Sequence, residues 1–411
     1  MSEFESKLDK YAETVVKVGL NVQKGQDVNI TAPVHATNFV RKVVKHAYLA
    51  GARQVLVDYQ DDKLDLLKYE LASEEGLKAF PSWKVKGMME MADNNAAFLG
   101  IRSKNPELLK DVDPERLAIV DKVSVTENKE YSQNYISTGR ISWTLVSYPS
   151  PEWAQLVFPN LTEDESLEKL WEAMFDVTRV NQENPVGEWK EHMRGLANRA
   201  EILNKKKYKK LHYRATGTDL TIELHKDHKW MCANFTNEKG TEFVPNMPTE
   251  EVFTIPFKKG VNGTVASTKP LNYKGSLINH FSLTFKEGKV VDFKAEEGYE
   301  ILKNLLSIDE GAKYLGEVAL VPHDSPISNS NLVFYDTLYD ENASCHIALG
   351  NALKTCVENV KEKSKEDFEE MGFNESLTHV DFMIGSGELD IDGETEDGTK
   401  EAIFRSGNWV I

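Results

Sequence analysis

Strand-like and helix-like patterns alternate along the first 190 residues of the chain. Short runs of branched apolar residues predict strands, and longer stretches with apolar residues three or four positions apart predict helices. The predicted strands are 27–31, 54–59 and 96–101, and the predicted helices are 38–49, 63–72 and 83–91, followed by two polar helices at 164–181 and 188–205. Alternating units of this kind are typical of a parallel sheet covered by helices, so the sequence predicts an α/β domain.

The pattern changes near residue 200, where short strands separated by turn residues replace the alternation. The predicted strands in this part are 212–215, 220–224, 252–255, 263–267, 276–285 and 290–293. Segregated strands of this kind indicate α+β organisation. We therefore predict two domains, an α/β domain with a parallel sheet over 1–200 and a strand-rich α+β domain over 201–411 that binds metal.

A glutamate interrupts an apolar run in the second half of the chain. The run 315–321 reads Leu-Gly-Glu-Val-Ala-Leu-Val, with Glu317 as its charged member. Burying a carboxylate is costly unless a partner or a bound cation compensates its charge. Glu317 is therefore a candidate site residue.

A histidine and an aspartate two positions apart lie in a predicted strand. Residues 377–385 have the branched and aromatic content of a strand, in which successive side chains alternate in direction. His379 and Asp381 should therefore point to the same face, and Val380 and Phe382 to the other. Imidazole and carboxylate groups are ligands for zinc, cobalt or manganese. His-x-Asp alone is a weak signal, because a single histidine is more often structural.

A second histidine, His346, lies in the stretch 340–353, which the sequence predicts to be helical. Polar residues at the start of this stretch are possible N-caps, and the alanine-rich run after them favours a helix. His346 would then lie in or near the first turn of the helix. Leu353, seven positions later, would lie on almost the same face.

Two adjacent glutamates, Glu250 and Glu251, precede the strand predicted at 252–255. In an extended chain their side chains face opposite ways, so only one of them can easily enter a shared site. The alternative is a solvated strand edge. The residues by themselves leave both interpretations open.

Charge and composition narrow the function classes. A net charge of −17 argues against a general nucleic-acid binder, because a phosphate backbone requires a basic surface. No apolar run approaches the roughly 20 residues that span a bilayer, and three cysteines are too few for a disulfide framework. No glycine-rich phosphate-binding motif opens a predicted helix. We expect a reduced, cytosolic protein that binds neither nucleic acid nor a membrane.

Together these stretches resemble the aminopeptidase T family of metallopeptidases, which includes the bacterial aminopeptidases T and S. The matching stretches are 246–254, 316–326, 340–350, 379–393 and 405–409. The similarity extends along essentially the whole chain, and the combined motifs are highly specific.

The resemblance implies a cytoplasmic aminopeptidase that removes N-terminal residues from short peptides. It implies two divalent cations per subunit, which would be zinc, cobalt or manganese, and a homodimer with an enclosed active site. Carried over residue by residue, the metal ligands are Glu251, Glu317 as the bridging carboxylate, His346, His379 and Asp381. Glu250, next to a ligand, is the candidate general base.

The chain departs from the family at Leu353, where the family places a tyrosine at the metal site. This departure motivates an alternative, a catalytically weakened or inactive relative that still binds metal or peptide. A third hypothesis is a small-molecule binding protein whose site lies in the α/β half. No cofactor motif supports it.

Overall fold

The structure is a computed structural model that describes residues 2–103, 105, 108–136, 138–273, 276–360 and 363–411. The chain forms two compact units. The first unit contains Met1–Glu191 and Asn234–Met247, and the second contains His192–Ala233 and Pro248–Ile411. The predicted division of the chain into domains near residue 200 stays a prediction.

Helices and strands are numbered in chain order. The helices are α1 (Glu3–Thr14), α2 (Thr37–Ala50), α3 (Asp62–Leu71), α4 (Glu74–Lys78), α5 (Ser82–Asp93), α6 (Pro114–Tyr131), α7 (Pro151–Val157), α8 (Glu163–Val177), α9 (Pro185–Lys206), α10 (Tyr299–Leu305), α11 (Pro326–Asn329), α12 (Thr337–Asp340) and α13 (Lys365–Glu370). The strands are β1 (Asp27–Pro33), β2 (Gln54–Gln60), β3 (Ala97–Arg102), β4 (Trp143–Ser147), β5 (Lys210–Ala215), β6 (Thr218–Leu224), β7 (Met231–Cys232), β8 (Phe235–Thr236), β9 (Glu242–Phe243), β10 (Val252–Thr254), β11 (Pro256–Ala266), β12 (Leu271–Tyr273), β13 (Ser276–Lys286), β14 (Lys289–Glu297), β15 (Leu315–Leu320), β16 (His346–Gly350), β17 (His379–Met383), β18 (Asp390–Glu394), β19 (Lys400–Arg405) and β20 (Asn408–Trp409). Among the described residues, every helix is too short or too polar to cross a membrane.

A parallel sheet with the strand order β2-β1-β3-β4 is the centre of the first unit. The chain passes from β1 to β2 on one side and then returns to β3 on the other side of β1. The strand order therefore reverses between β1 and β3, as in doubly wound α/β folds. The predicted α/β fold with a parallel sheet is confirmed.

The helix α2 shows how the sequence encodes this unit. Its apolar residues Phe39, Val40 and Val43 recur at helical spacing and are buried. The helix ends at Gly51, whose φ of 99° lies in the left-handed region that glycine adopts without steric cost. The helix predicted at 38–49 is confirmed.

Two antiparallel sheets form the second unit. The larger has the order β12-β13-β11-β6-β5-β18-β19-β20, with β14 paired to β13, and the smaller has the order β17-β16-β15-β10-β7. Ile222 of the larger sheet and Val318 and Ile347 of the smaller sheet belong to one buried hydrophobic cluster. One face of the smaller sheet therefore covers the core, and its opposite face is available for polar side chains. The predicted strand-rich α+β organisation is confirmed.

The prediction of a helix around His346 is wrong. Helical turns end at Ala343, and His346 begins the strand β16, which pairs with β15 on one side and β17 on the other. Ile347 and Leu349 enter the hydrophobic cluster, whereas His346 and Ala348 alternate with them. Burial of this two-residue pattern within a sheet outweighs the helix propensity of the alanines.

A bulge in β15 depends on a glycine. The pairing with β16 shifts register between Leu315 and Glu317, so that Gly316 is the extra residue. A Cβ atom at Gly316 would lie 2.4 Å from the backbone oxygens of Gly350 and Asn351. Only glycine allows this close approach. The resulting bulge sets the position of Glu317, the next residue.

Gly316→Ala should destabilise the protein by roughly 1–3 kcal/mol, because backbone atoms must move to admit the methyl group. The change should also displace Glu317 and weaken binding of divalent cations. Urea unfolding and cobalt titration would measure the two effects. Gly87→Ala in α5 is a matched control, because its Cβ would meet no atom within 4 Å and helical alanine is favoured over glycine. Wild-type stability and cobalt affinity in Gly316→Ala would contradict this account of the bulge.

Candidate metal centre

Neighbouring strands bring two carboxylates to the polar face of the smaller sheet. Glu317 of β15 pairs with Ala348 of β16, which in turn pairs with Asp381 of β17. Side chains directly opposite one another in paired strands share a face. Because alanine carries only a methyl group, Ala348 leaves room for the longer side chains on either side of it.

The first group of potential ligands contains Glu251, Glu317 and His346, with one ligand atom of each within 4.8 Å of the others. Glu251 directly precedes β10, and its Oε2 lies 3.2 Å from Nε2 of His346. The imidazole of His346 is buried, and its Nδ1 lies 3.3 Å from the carbonyl oxygen of Ser344. A proton on Nδ1 would be donated to that carbonyl oxygen. This orientation of the ring directs Nε2 towards the carboxylates.

The second group contains Glu317, His379 and Asp381, again within 4.8 Å of one another. Nε2 of His379 lies 3.1 Å from Oε2 of Glu317 and 3.3 Å from Oδ1 of Asp381. Its Nδ1 is 2.7 Å from the carbonyl oxygen of Asn351, the usual orientation of a metal-binding histidine. The prediction that His379 and Asp381 share a face is confirmed, and Glu317 belongs to both groups.

The two imidazoles carry the positive charge of this cluster. Burial lowers the pKa of His346, but its hydrogen bond with Glu251 and the charge of Asp381 raise it to about 10. Burial also lowers the pKa of His379, but Asp381 and Glu317 raise it well above its usual value. Burial raises the pKa of Glu317, whereas His379 offsets burial at Asp381 and holds that pKa low.

These residues fit divalent cations. Oδ1 of Asp381 is buried and makes no hydrogen bond of acceptable geometry with any residue that the structure describes. Three carboxylates and two imidazoles are the donor types that zinc, cobalt and manganese accept. Divalent cations would supply the positive charge that the protonated imidazoles otherwise provide.

Glu250 lies in neither ligand group. It is buried, with Oε2 3.4 Å from Nε2 of His192 in α9, whereas the adjacent Glu251 contacts His346. The two glutamates thus have different partners, as neighbours in an extended chain should. The assignment of Glu250 as the general base stays a prediction.

Analysis of the sequence missed Glu341, which lies close enough to the cluster for the charges of Asp381 and Glu251 to shift its pKa. Burial raises the pKa of Glu341 well above its usual value, and the negative charges of Asp381 and Glu251 raise it further. In the sequence, Glu341 appears only among the polar residues of a predicted helix start. Its position depends on the turn Glu341–Ala343 that leads into β16, and no local pattern reveals this.

Leu353 does not share a helical face with His346, because no helix joins the two residues. It follows β16 in extended backbone, with φ −92° and ψ 109°, and it precedes the short turn Lys354–Cys356. The side chain is half-buried. The predicted placement of Leu353 on the face of His346 is therefore wrong for the same reason as the predicted helix.

Asn342 connects the segment before Glu251 with the segment before His346. Its Oδ1 accepts a hydrogen bond from the backbone N–H of Glu250 at 2.7 Å. Its Nδ2 donates to the carbonyl oxygen of Leu338 at 3.1 Å. Because Asn342 is fully buried, these bonds fix the spacing of the two segments.

Asn342→Ala should cost about 1–3 kcal/mol of stability, because the buried N–H of Glu250 loses its acceptor. Cobalt affinity should fall more at the group containing Glu251 and His346 than at the group containing Asp381. Urea unfolding and calorimetric titration would measure both effects. Asn128→Ala is the control, because among the described residues the side chain of this half-buried asparagine bonds within α6 and far from the cluster in sequence. Unchanged cobalt binding in Asn342→Ala would contradict a positioning role.

Comparison with known proteins identifies the family of this chain. Residues 4–409 match the family described as Thermophilic metalloprotease (M29). Aminopeptidase 2 of Geobacillus stearothermophilus is 52% identical over 411 residues, covering 100% of this chain and 99% of that protein. Aminopeptidase T of Thermus thermophilus is 42% identical and covers 100% of both chains. The solved structure of wild-type AmpT from Thermus thermophilus has a TM-score of 0.93 at 41% identity, over 99% of this chain and 100% of that chain. The chain therefore belongs to the thermophilic metalloprotease family (M29).

Proposed function

We propose that this chain is a metal-dependent aminopeptidase that releases N-terminal residues from short peptides. The observation that carries the proposal is that Glu317 belongs to both groups of potential metal ligands. The relatives described above are named aminopeptidases and match over their full length. The alternative of a weakened or inactive relative, motivated by Leu353, finds no support in these comparisons.

The proposed ligands form two overlapping sets. Glu251, Glu317 and His346 would hold one cation, and Glu317, His379 and Asp381 would hold the other, with Glu317 as the bridge. The cations would be zinc, cobalt or manganese. Backbone acceptors support the set, because they orient Nδ1 of both histidines and leave Nε2 facing the carboxylates.

Cations bound there supply Lewis-acid polarisation of the scissile carbonyl and lower the pKa of a bound water. The chain itself must position the peptide and move protons. A general base has to take a proton from the attacking water, and the leaving amine has to receive one. Glu250, buried next to the ligand Glu251, is the residue that we propose for this transfer.

We also propose a cytoplasmic location and a homodimer. The three cysteines are buried and form no disulfide, which suits a reducing compartment. The homodimer rests on the family resemblance, which implies an enclosed active site that excludes folded proteins. Sedimentation analysis would test the dimer independently of activity.

Glu317→Gln should abolish binding of both cations and reduce hydrolysis to background, because both ligand sets lose a shared charge. The measurement is hydrolysis of aminoacyl-anilides and dipeptides by chelator-stripped protein after addition of cobalt, zinc or manganese, with metal content determined in parallel. Glu310→Gln is the matched control, because the side chain of that exposed glutamate pairs with Lys289 and Lys313 and with no other described residue. Full cation content and full activity in Glu317→Gln would refute the proposal.

Cation binding should release protons at neutral pH. In the cation-free site the pKa of His346 is raised to about 10 and that of His379 is raised well above its usual value, so both hold protons at pH 7. A cation must displace those protons, so apparent affinity should rise with pH up to about 10. Calorimetric titration of cobalt in buffers of different ionisation enthalpy would count the protons. A pH-independent affinity would contradict the ligand roles of the histidines.

A further inference from the structure

A second potential binding site lies in the first unit, at the carboxyl ends of the parallel strands. The segments that follow β1, β2 and β3 line a crevice of about 560 Å³. The strand order reverses between β1 and β3, and ligands of open α/β sheets bind in the crevice at that point. Cavities of roughly 300–1,000 Å³ are typical of small-molecule sites. Position and size therefore both point to a ligand.

A hydrogen bond joins two segments at the point of strand reversal. His35 follows β1 and Ser103 follows β3, and Nε2 of His35 lies 2.9 Å from Oγ of Ser103. Pro33 and Val34 add an apolar wall beside them. The crevice thus has one fixed, largely uncharged side.

Charged side chains of both signs, Lys63 and Asp61 among them, complete the lining of the crevice. Arg102, the last residue of β3, lines the crevice together with Asp62 and Asp65 of α3. In the part of the chain that the structure describes, none of these three side chains makes a hydrogen bond or a close ion pair, although the charges of Lys68 and Lys84 attract Asp65 at longer range. A guanidinium group pairs readily with a carboxylate, and carboxylates pair with an ammonium group.

We propose that this crevice binds a free α-amino acid. Arg102 would pair with the carboxylate of the ligand, Asp62 and Asp65 would pair with its ammonium group, and its side chain would lie against Pro33 and Val34. A phosphate ligand fits less well, because the aspartates repel it and no glycine-rich loop is present. A cation site is not indicated, because no group of three ligand atoms lies within reach here among the described residues.

This site uses none of the proposed metal ligands and does not depend on the proposed peptidase activity. Every residue that lines it lies in the first unit, whereas every proposed metal ligand lies in the second. If the chain releases amino acids from peptides, the ligand class is that of its own product. Binding can nevertheless be measured in protein that has no activity.

The test is equilibrium dialysis of radiolabelled L-leucine against the full chain in the presence of a metal chelator. Glu317→Gln, also under chelator, removes any contribution of the metal-ligand cluster. Arg102→Gln should weaken leucine binding at least tenfold, because it removes the carboxylate partner. Arg53→Gln should change binding less than twofold. Arg53→Gln is the matched control for Arg102→Gln, because Arg53 pairs with Asp27 near the amino ends of β1 and β2.

Two analogues test the need for both charges. Isoamylamine lacks the carboxylate and 4-methylpentanoate lacks the amine, so each should bind at least tenfold more weakly than leucine. Arg102→Gln should leave isoamylamine binding unchanged, which distinguishes a lost contact from misfolding. Leucine binding that disappears in Glu317→Gln but persists in Arg102→Gln would overturn the proposal. The absence of saturable leucine binding, or equal binding of the analogues, would also overturn it.

Discussion

The candidate centre depends on a concentration of negative charge on one face of a small sheet. Glu251, Glu317 and Asp381 are largely buried and lie within a few ångströms of two imidazoles. Carboxylates so close together repel one another, and burial increases the penalty. In the structure His346 and His379 offset this repulsion, and the raised pKa values of both histidines follow from it. Divalent cations held by these residues would offset it more completely, which agrees with membership of a metalloprotease family.

The backbone makes this arrangement possible. The opposite face of the sheet is anchored in a hydrophobic cluster, so the polar face has a rigid support. Two small residues then admit the ligands, because Gly316 forms the bulge before Glu317 and Ala348 separates Glu317 from Asp381. Asn342 connects the segments that carry the remaining ligands. Packing, register and hydrogen bonding thus act together to place charges that would otherwise separate.

Local patterns predict part of this site and fail for the rest. The alternation of a strand was enough to place His379 and Asp381 together, and the apolar neighbours of Glu317 were enough to predict its burial. The strand that contains His346 could not be predicted, because its alanines favour a helix and only pairing with two other strands decides otherwise. Glu341 was missed because its charged neighbours Glu251 and Asp381 are distant from it in the sequence, and only the folded chain brings them together. The crevice of the first unit was missed because it depends on strand order.

The central claim is that one carboxylate serves two cations. The most direct measurement is a crystal structure of the zinc-loaded protein, with anomalous diffraction used to locate the metal. The account predicts two anomalous peaks on the polar face of the smaller sheet, both within coordination distance of Glu317, one beside His346 and one beside His379. A single peak, or two peaks that do not share Glu317, would contradict it.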